Sequence, residues 1–319
     1  MALLAGNAVI LKTASQTQAV GLALEKSFAG AALPEGLFSF INMAGREAGN
    51  AFLENGIDKL FFTGSVNAGK WLMNKASETL TPLVLELGGN DAMLVCPDAD
   101  LERAAAGAVW AGLSNAGQSC GGVERVYVHQ DVHGRFLEIL KRRVEALRVD
   151  NGMNWDADMA AMTTQGQIDL GNAHVEGAVK MGATVFAQSG LPEDEKLVNF
   201  IPARVLTGVN HDMAIMKEET FGPVLGVMKV GDMDEAVRLA NDSDLGLTGS
   251  VWSRSRGRAK AIARRVRAGA VTVNDHLMSH GLPETPWGGF NQSSMGRSHG
   301  KIGFDEMTEP QVIVNDVLP

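Results

Sequence analysis

Asn115-Ala116-Gly117-Gln118-Ser119-Cys120-Gly121-Gly122 lies between a helix-like run, Leu101 to Leu113, and a strand-like run, Val123 to His129. An apolar run, Ala92-Met93-Leu94-Val95, precedes that helix, so the order is strand, helix, glycine-rich loop, strand. This alternation builds parallel sheets. It also sets the thiol of Cys120 at a junction between elements, where catalytic side chains collect. A thiol attacks as its thiolate, so a nucleophilic Cys120 requires a lowered pKa or a base within reach. The ordinary alternative is a free cysteine serving as a small buried hydrophobe.

Outward from this unit the alternation continues in both directions. Toward the N-terminus, Ala8-Val9-Ile10-Leu11 is followed by a helical run from Ala19 to Phe28. Phe38-Ser39-Phe40-Ile41 is followed by Glu47 to Leu53, and Leu60-Phe61-Phe62 by Ala68 to Ala76. Toward the C-terminus, strand candidates at Val224 to Val230, Ser250 to Trp252 and Ala270 to Val273 alternate with helices at Asp234 to Ala240 and Arg258 to Val266. Met1 to Leu11 is apolar but too short to span a bilayer and lacks a basic flank, so it reads as a strand. Near-continuous apolar strands such as Leu83-Val84-Leu85 suit sheets covered on both faces. The fold class is α/β.

The chain has 319 residues, 45% hydrophobic and 20% charged, as expected of a globular protein with one large or two ordinary cores. With 28 Lys and Arg against 37 Asp and Glu, the net charge of −9 argues against a nucleic-acid partner, which needs a basic face. Two cysteines, Cys96 and Cys120, fit a reducing compartment and a cytoplasmic location. Neither a membrane partner nor a metal is expected.

Three further stretches carry chemistry. Phe62-Thr63-Gly64-Ser65 ends a strand and, with Gly69 and Lys70, opens a helix. Its N–H groups and positive dipole end suit a phosphate, with Gly64 admitting the backbone and Ser65 offering a hydroxyl; an ordinary glycine turn is the alternative. Glu86-Leu87-Gly88-Gly89 puts a carboxylate at the carboxyl end of an apolar strand beside two glycines. Its separation of 34 residues from Cys120, about one strand plus one helix, predicts a return to the same sheet edge. Glu86 would then be a general base whose partial burial raises its pKa. Glu218-Glu219-Thr220-Phe221-Gly222-Pro223 offers a carboxylate suited to sugar hydroxyls and a ring suited to a flat cofactor; solvent-facing acids and a core Phe are the alternative. Pro286-Trp287-Gly288-Gly289 and Ser294-Met295-Gly296-Arg297 form a late glycine-rich loop fit to wall a pocket.

In this order the motifs resemble those of the aldehyde dehydrogenase superfamily, from about Gly6 to the C-terminus. The resemblance implies an incomplete Rossmann-type coenzyme domain (residues 1–88), a thiol-bearing α/β catalytic domain (89–290) and a C-terminal return and oligomerisation segment (291–319). It implies Cys120 as nucleophile and Glu86 as the base that activates water. Lys12 and Ser15 would lie at the adenine ribose, Gly64 and Ser65 at the pyrophosphate, Leu87 and Gly88 along the coenzyme, Glu219 at the nicotinamide ribose and Phe221 beside the nicotinamide. Ser119, Gly121, Leu277, Ser279 and Trp287 would wall the substrate pocket. The run Gln311-Val312-Ile313-Val314 would be an edge strand pairing with a neighbouring subunit in a homodimer or homotetramer. The implied reaction is oxidation of an aldehyde to an acid with NAD or NADP through a Cys120 thioester, and Glu86 favours hydrolysis over acyl transfer.

Two departures qualify that expectation. The family commonly places Glu three residues after the lysine, whereas Lys12-Thr13-Ala14-Ser15 supplies Ser, as in succinate-semialdehyde dehydrogenase-like members. Without that carboxylate a 2′-phosphate is not repelled, so NADP is expected to be preferred. The chain also opens where a family member is already inside its coenzyme domain, and the segment with the oxyanion-binding Asn is not in this sequence. Loss of such a donor costs roughly 10²–10³ in rate, so weak activity, or a silent protein with a binding or structural role, is the rival expectation. A cysteine hydrolase ranks third, since no histidine stands in a hydrolase signature.

Overall fold

The computed structural model describes residues 1–151, 153, 155–192 and 198–316. In chain order the strands and helices are β1 (Val9–Lys12), α1 (Gln18–Ala29), β2 (Phe38–Ile41), α2 (Gly45–Glu54), β3 (Leu60–Thr63), α3 (Val66–Ala76), β4 (Leu83–Glu86) and β5 (Asp91–Val95). Next come α4 (Leu101–Leu113), β6 (Val123–His129), α5 (Gln130–Glu145), α6 (Gln165–Lys180), β7 (Thr184–Gln188), β8 (Arg204–Thr207), β9 (Val224–Val230) and α7 (Met233–Ala240). The last are β10 (Leu245–Gly246), β11 (Thr248–Trp252), α8 (Arg256–Ala263), β12 (Ala270–Val273), β13 (Phe290–Asn291), β14 (Ser294–Met295) and α9 (Gly300–Asp305).

The large sheet has the order β12-β11-β5-β6-β9-β8-β7 and is parallel throughout except for the antiparallel β7–β8 edge pair. Its central strands are apolar at nearly every position because both faces are covered. Along β5, Met93 and Val95 join one core while Ala92 and Leu94 join the other. Helices α4 and α5 lie over the first face. Asp100 starts α4 by accepting the Arg103 N–H, a side-chain cap of the kind that satisfies an orphan donor. The buried positions of α4, Leu101, Ala104, Ala105, Ala108, Ala111 and Gly112, repeat at helical spacing, and their small size lets the helix sit close to the sheet. In α5, Phe136 and Leu140 are fully buried, each contributing about 1.5–3 kcal/mol of hydrophobic stabilisation. Helices α7 and α8 cover the opposite face.

The N-terminal strands form smaller sheets. β1 pairs with β2 in parallel, and β3, β4 and β14 make a separate three-stranded sheet. The first run does not extend as one strand: Leu3–Ala5 is a 3-10 turn closed by Gly6 at φ +90°, and the strand begins at Val9. Ile10, Val20 and Leu22 are exposed on this part of the molecule. β14 carries the C-terminal segment back onto β4.

The expected edge strand at Gln311 to Val314 is not a strand in this chain. Val312, Ile313 and Val314 are 84–86% exposed. A strand exists only as part of a ladder, and no segment lies alongside to take these N–H and C=O groups. Positions 317–319 of the expected C-terminal segment lie outside the described residues. Among the described residues no helix is long and apolar enough to cross a membrane.

Candidate active site

Cys120 is partly buried in the loop between α4 and β6, which turns through three successive left-handed residues, Asn115, Ala116 and Gly117. Asn115 and Gln118 exchange side-chain bonds with each other's carbonyls, and Gln118 Oε1 accepts the Thr163 N–H at 2.8 Å. The loop is thereby tied at both ends. Glu86 does not share a sheet edge with the thiol, contrary to expectation. It ends β4 in the small sheet, while Cys120 leads into β6 of the large one. The segment Leu87-Gly88-Gly89-Asn90 links the two sheets directly and brings Gly89 against the Cys120 carbonyl at their junction.

Two glycines make that approach possible. A Cβ on Gly88 would lie 2.3 Å from Glu219 Oε2, and one on Gly89 would lie 2.2 Å from the carbonyl oxygen of Cys120. At Gly89 the neighbour is backbone and only hydrogen fits, whereas at Gly88 it is the tip of the Glu219 side chain, which would have to swing away. Gly89 also donates its N–H to Glu219 Oε1 at 3.0 Å. The motifs of Glu86, Cys120 and Glu219 therefore meet, as the sequence implies, with the glycine pair as the hinge of the contact.

The electrostatics are dominated by buried acid. Burial lifts the Glu86 carboxyl from its ordinary 4.5 to about 7, against the opposing pull of Arg297 and a long contact from Ser298 Oγ at 3.5 Å. Its Oε2 is buried without a partner. Glu219 rises to about 7, also by burial. The Cys120 thiol is pushed up to about 11, first by burial and then by the carboxylates Asp91 and Glu219. Burial and the acids around it thus favour the neutral thiol, and Glu86 is among the carboxylates that act on it.

The coenzyme candidates take these places. Lys12 ends β1, and its Nζ lies 3.5 Å from where a Cβ on Gly45, the first residue of α2, would stand. Ser15 is exposed at the start of a 3-10 turn. Gly64 follows β3 and bonds its N–H to the Glu86 carbonyl, while Ser65 caps α3 by accepting the Ala68 N–H at 3.3 Å. Leu87 is buried; a Cβ on Gly69 of α3 would lie 2.8 Å from its methyl carbons. The glycine spacing in Gly64 to Gly69 thus also serves helix packing. Phe221 has φ +47°, rare for a bulky residue. Of the pocket-wall candidates, Trp287 is 5% exposed, packs edge-on against His280 and comes close to Gly121.

Sequence reasoning passed over four buried polar residues around this centre. Asp91 accepts both the N–H and the hydroxyl of Thr248. Asn90 and Glu124 are 1% and 4% exposed and bond to each other at 2.7 Å. His276 places Nε2 3.0 Å from the Gly121 carbonyl. A histidine does therefore touch the thiol loop, but burial holds its pKa down at about 4 and Nε2 is committed to a carbonyl, so it is a poor base for a hydrolase. The one available signal was the charged pair Glu124-Arg125 inside a strand that begins and continues with valines.

Residues 1–313 match the aldehyde dehydrogenase family. A 4,4′-diapolycopene aldehyde oxidase from Methylomonas is 41% identical over 309 residues, which span 97% of this chain and 57% of that protein. A Mycolicibacterium smegmatis protein, provisionally named succinate-semialdehyde dehydrogenase [NADP(+)], is 38% identical across 98% of this chain and 60% of its own length. The crystal structure of Mycobacterium tuberculosis aldehyde dehydrogenase complexed with NAD+ superposes with a TM-score of 0.91 at 31% identity, covering 96% of this chain and 63% of that one. The chain spans roughly three fifths of these proteins, 57% and 60% of the two curated relatives. It belongs to the aldehyde dehydrogenase family.

Proposed function

We propose that this protein oxidises an aldehyde to a carboxylic acid with a nicotinamide coenzyme, through covalent catalysis at Cys120. The observation that supports this reading is the convergence of the Cys120 loop and the Glu219 carboxylate on the Gly88-Gly89 segment that follows Glu86, whose own pKa burial lifts to about 7. Glu86 takes the thiol proton as the sulfur attacks the aldehyde carbon, which gives a thiohemiacetal on Cys120. The coenzyme, when bound, supplies the hydride acceptor that turns this adduct into a thioester. After giving the first proton up to solvent, Glu86 removes a proton from water as the water oxygen attacks the thioester carbon, and Cys120 leaves as thiolate, a good leaving group, and is reprotonated. One carboxylate serves twice.

The residues fit such a coenzyme. The Glu219 carboxylate, held by the Gly89 N–H, suits ribose hydroxyls, and Phe221 follows two residues on as an apolar wall. The α3 N-terminus at Ser65 suits the pyrophosphate. Lys12 and Ser15 favour NADP, because the lysine attracts a 2′-phosphate and Ser15 does not repel it. The printed name of the Mycolicibacterium smegmatis relative includes NADP(+). Two free cysteines suit a cytoplasmic setting, and the exposed Val312 to Val314 run suits pairing in a homodimer or homotetramer.

Reduced nicotinamide formation from an aldehyde panel, with NADP and with NAD, tests the reading against a Cys120→Ser variant. Reduction that disappears in the variant is expected. Undiminished turnover without the thiol, or none from folded wild-type protein, refutes it.

A further inference from the structure

Glu124 belongs to none of the motifs that read as chemistry, yet its carboxylate is bonded from the Glu218–Pro223 motif and from Asn90, the residue after the Glu86–Gly89 motif. Oε1 accepts the N–H of Phe221 at 2.7 Å and that of Thr220 at 2.9 Å. Oε2 accepts Thr220 N–H at 2.9 Å and the Asn90 side-chain amide at 2.7 Å. The same amide nitrogen of Asn90 donates to the Glu218 carbonyl at 3.0 Å, and the Asn90 carbonyl accepts from Arg125 Nε at 2.7 Å. Turning the Asn90 amide over would set its oxygen against two acceptors, so its orientation is determined. Glu124 thus ties the strand after the Cys120 loop to the residue after Gly88-Gly89 and to the backbone on either side of Thr220.

The bond to Phe221 has a specific consequence. A bulky residue at φ +47° persists only where its surroundings over-determine it. Thr220 is held from the other side as well, with Gln167 donating to its carbonyl at 2.6 Å and its hydroxyl 3.1 Å from His174 Nδ1. Those contacts do not reach the Phe221 N–H. Glu124 does.

We infer that Glu124 is the positioning residue for the nicotinamide end of the coenzyme site, fixing the Phe221 ring and, through Asn90 and Thr220, the Glu219 carboxylate between them. This rests on the coenzyme contacts proposed above for Glu219 and Phe221. Glu124 touches no reacting atom; it acts through the backbone it holds.

Glu124→Gln is the test, because it keeps the shape but turns one oxygen into an NH2 group. All the groups around the carboxylate are donors, so in either orientation that NH2 faces an N–H and one buried donor loses its acceptor. Binding is read by fluorescence titration of the whole chain with NADPH and, in parallel, by competition with an adenine nucleotide that lacks the nicotinamide ring. The variant is expected to bind NADPH about tenfold more weakly, which corresponds to about 1.4 kcal/mol, with adenine-nucleotide affinity unchanged. KM for the coenzyme should rise with KM for the aldehyde unmoved. Unchanged NADPH binding overturns the inference, as does equal loss for both nucleotides, which would mark a general disturbance of the fold. Wild-type protein that binds neither nucleotide brings down the coenzyme reading itself, and this inference with it. Should Glu124→Gln be insoluble, Asn90→Ala removes the amide that steadies Oε2 without touching Phe221; a smaller loss confined to NADPH is expected, and none overturns.

Discussion

Gly89→Ala is the sharpest perturbation of the two-sheet junction. A Cβ there would stand 2.2 Å from the Cys120 carbonyl oxygen and 3.1 Å from both Asp91 carboxylate oxygens. Ordinary contact begins at 3.4 Å, so the backbone of the thiol loop or of the Gly89 segment must retreat by about 1.2 Å. Neither side gives freely. Asp91, two residues on, is anchored by 2.9 and 2.8 Å bonds from Thr248, and the thiol loop is pinned through Gln118 to Thr163. Overpacking of this kind typically costs about 1–3 kcal/mol, and a misplacement of about 1 Å at a reacting centre costs on the order of 10²-fold in rate. Since φ at Gly89 is not in the left-handed region, the effect is steric rather than conformational. Gly134→Ala, in α5 with nothing within 4 Å of a new Cβ, is the matched control and should be neutral or slightly stabilising. Two assays apply: the rate of Cys120 alkylation by iodoacetamide, followed by mass spectrometry, and the steady-state rate of coenzyme reduction. We expect the alkylation rate to change and kcat to fall by about 10²-fold, with a melting temperature lower by a few degrees. A variant with wild-type kcat would refute the claim that this glycine sets the thiol in register with Glu86 and Glu219.

Two other predictions follow from the charges. Glu86 has a folded pKa of about 7 against an ordinary 4.5, so folding favours its neutral form. The penalty is present in full above pH 7 and is relieved as pH falls toward 4.5. Glu86→Gln should therefore melt higher than wild type above about pH 7 and equal it near pH 4.5 by calorimetry, while losing the rise in activity through neutral pH and roughly 10²–10⁴ in rate. A wild-type pH profile flat through neutrality would remove Glu86 as the base. Ser15→Glu restores a carboxylate where a 2′-phosphate would lie, and should move the NADP-to-NAD ratio of kcat/KM toward NAD by about tenfold or more through repulsion alone. An unchanged ratio would place the adenine ribose elsewhere.

How much was legible follows from the range of the interactions involved. The elements around the thiol, α4 at Leu101–Leu113 and β6 at Val123–His129, match the sequence reading residue for residue. Their signals are local: helical spacing of small apolar residues, then a β-branched run. The approach of the Glu86 segment to the Cys120 loop was legible as a motif, but its route was not. Chain spacing suggested one sheet edge, whereas the strands belong to two sheets whose junction is closed by Gly88 and Gly89. Glu124 was invisible for a related reason. Its partners Thr220 and Phe221 lie 96 and 97 residues on, and an acid in a strand reads locally as a solvent-facing position. The run Gln311 to Val314 has strand-like residues, but strand formation depends on a neighbour that its own sequence does not specify.

The proton inventory of the site bears on the order of events. Glu86 and Glu219 each carry a pKa near 7, burial lifts Asp91 to about 7 as well, and the thiol stands at about 11. Burial and these acids together disfavour a free thiolate at Cys120. On the mechanism proposed above, ionisation of the thiol accompanies attack on the carbonyl, when charge leaves sulfur for the forming bond, and the proton passes to Glu86, whose Oε2 is unpartnered. That transfer leaves Glu86 neutral. It has to lose the proton again before it can draw one from water, and with a pKa near 7 it does so without a large barrier in either direction. A Glu86 held at an ordinary 4.5 would be too weak a base for a thiol at about 11, and one raised far above neutrality would keep the first proton. On the proposed mechanism, the partial burial of Glu86 beside Arg297 is what would let one carboxylate serve both halves of the reaction.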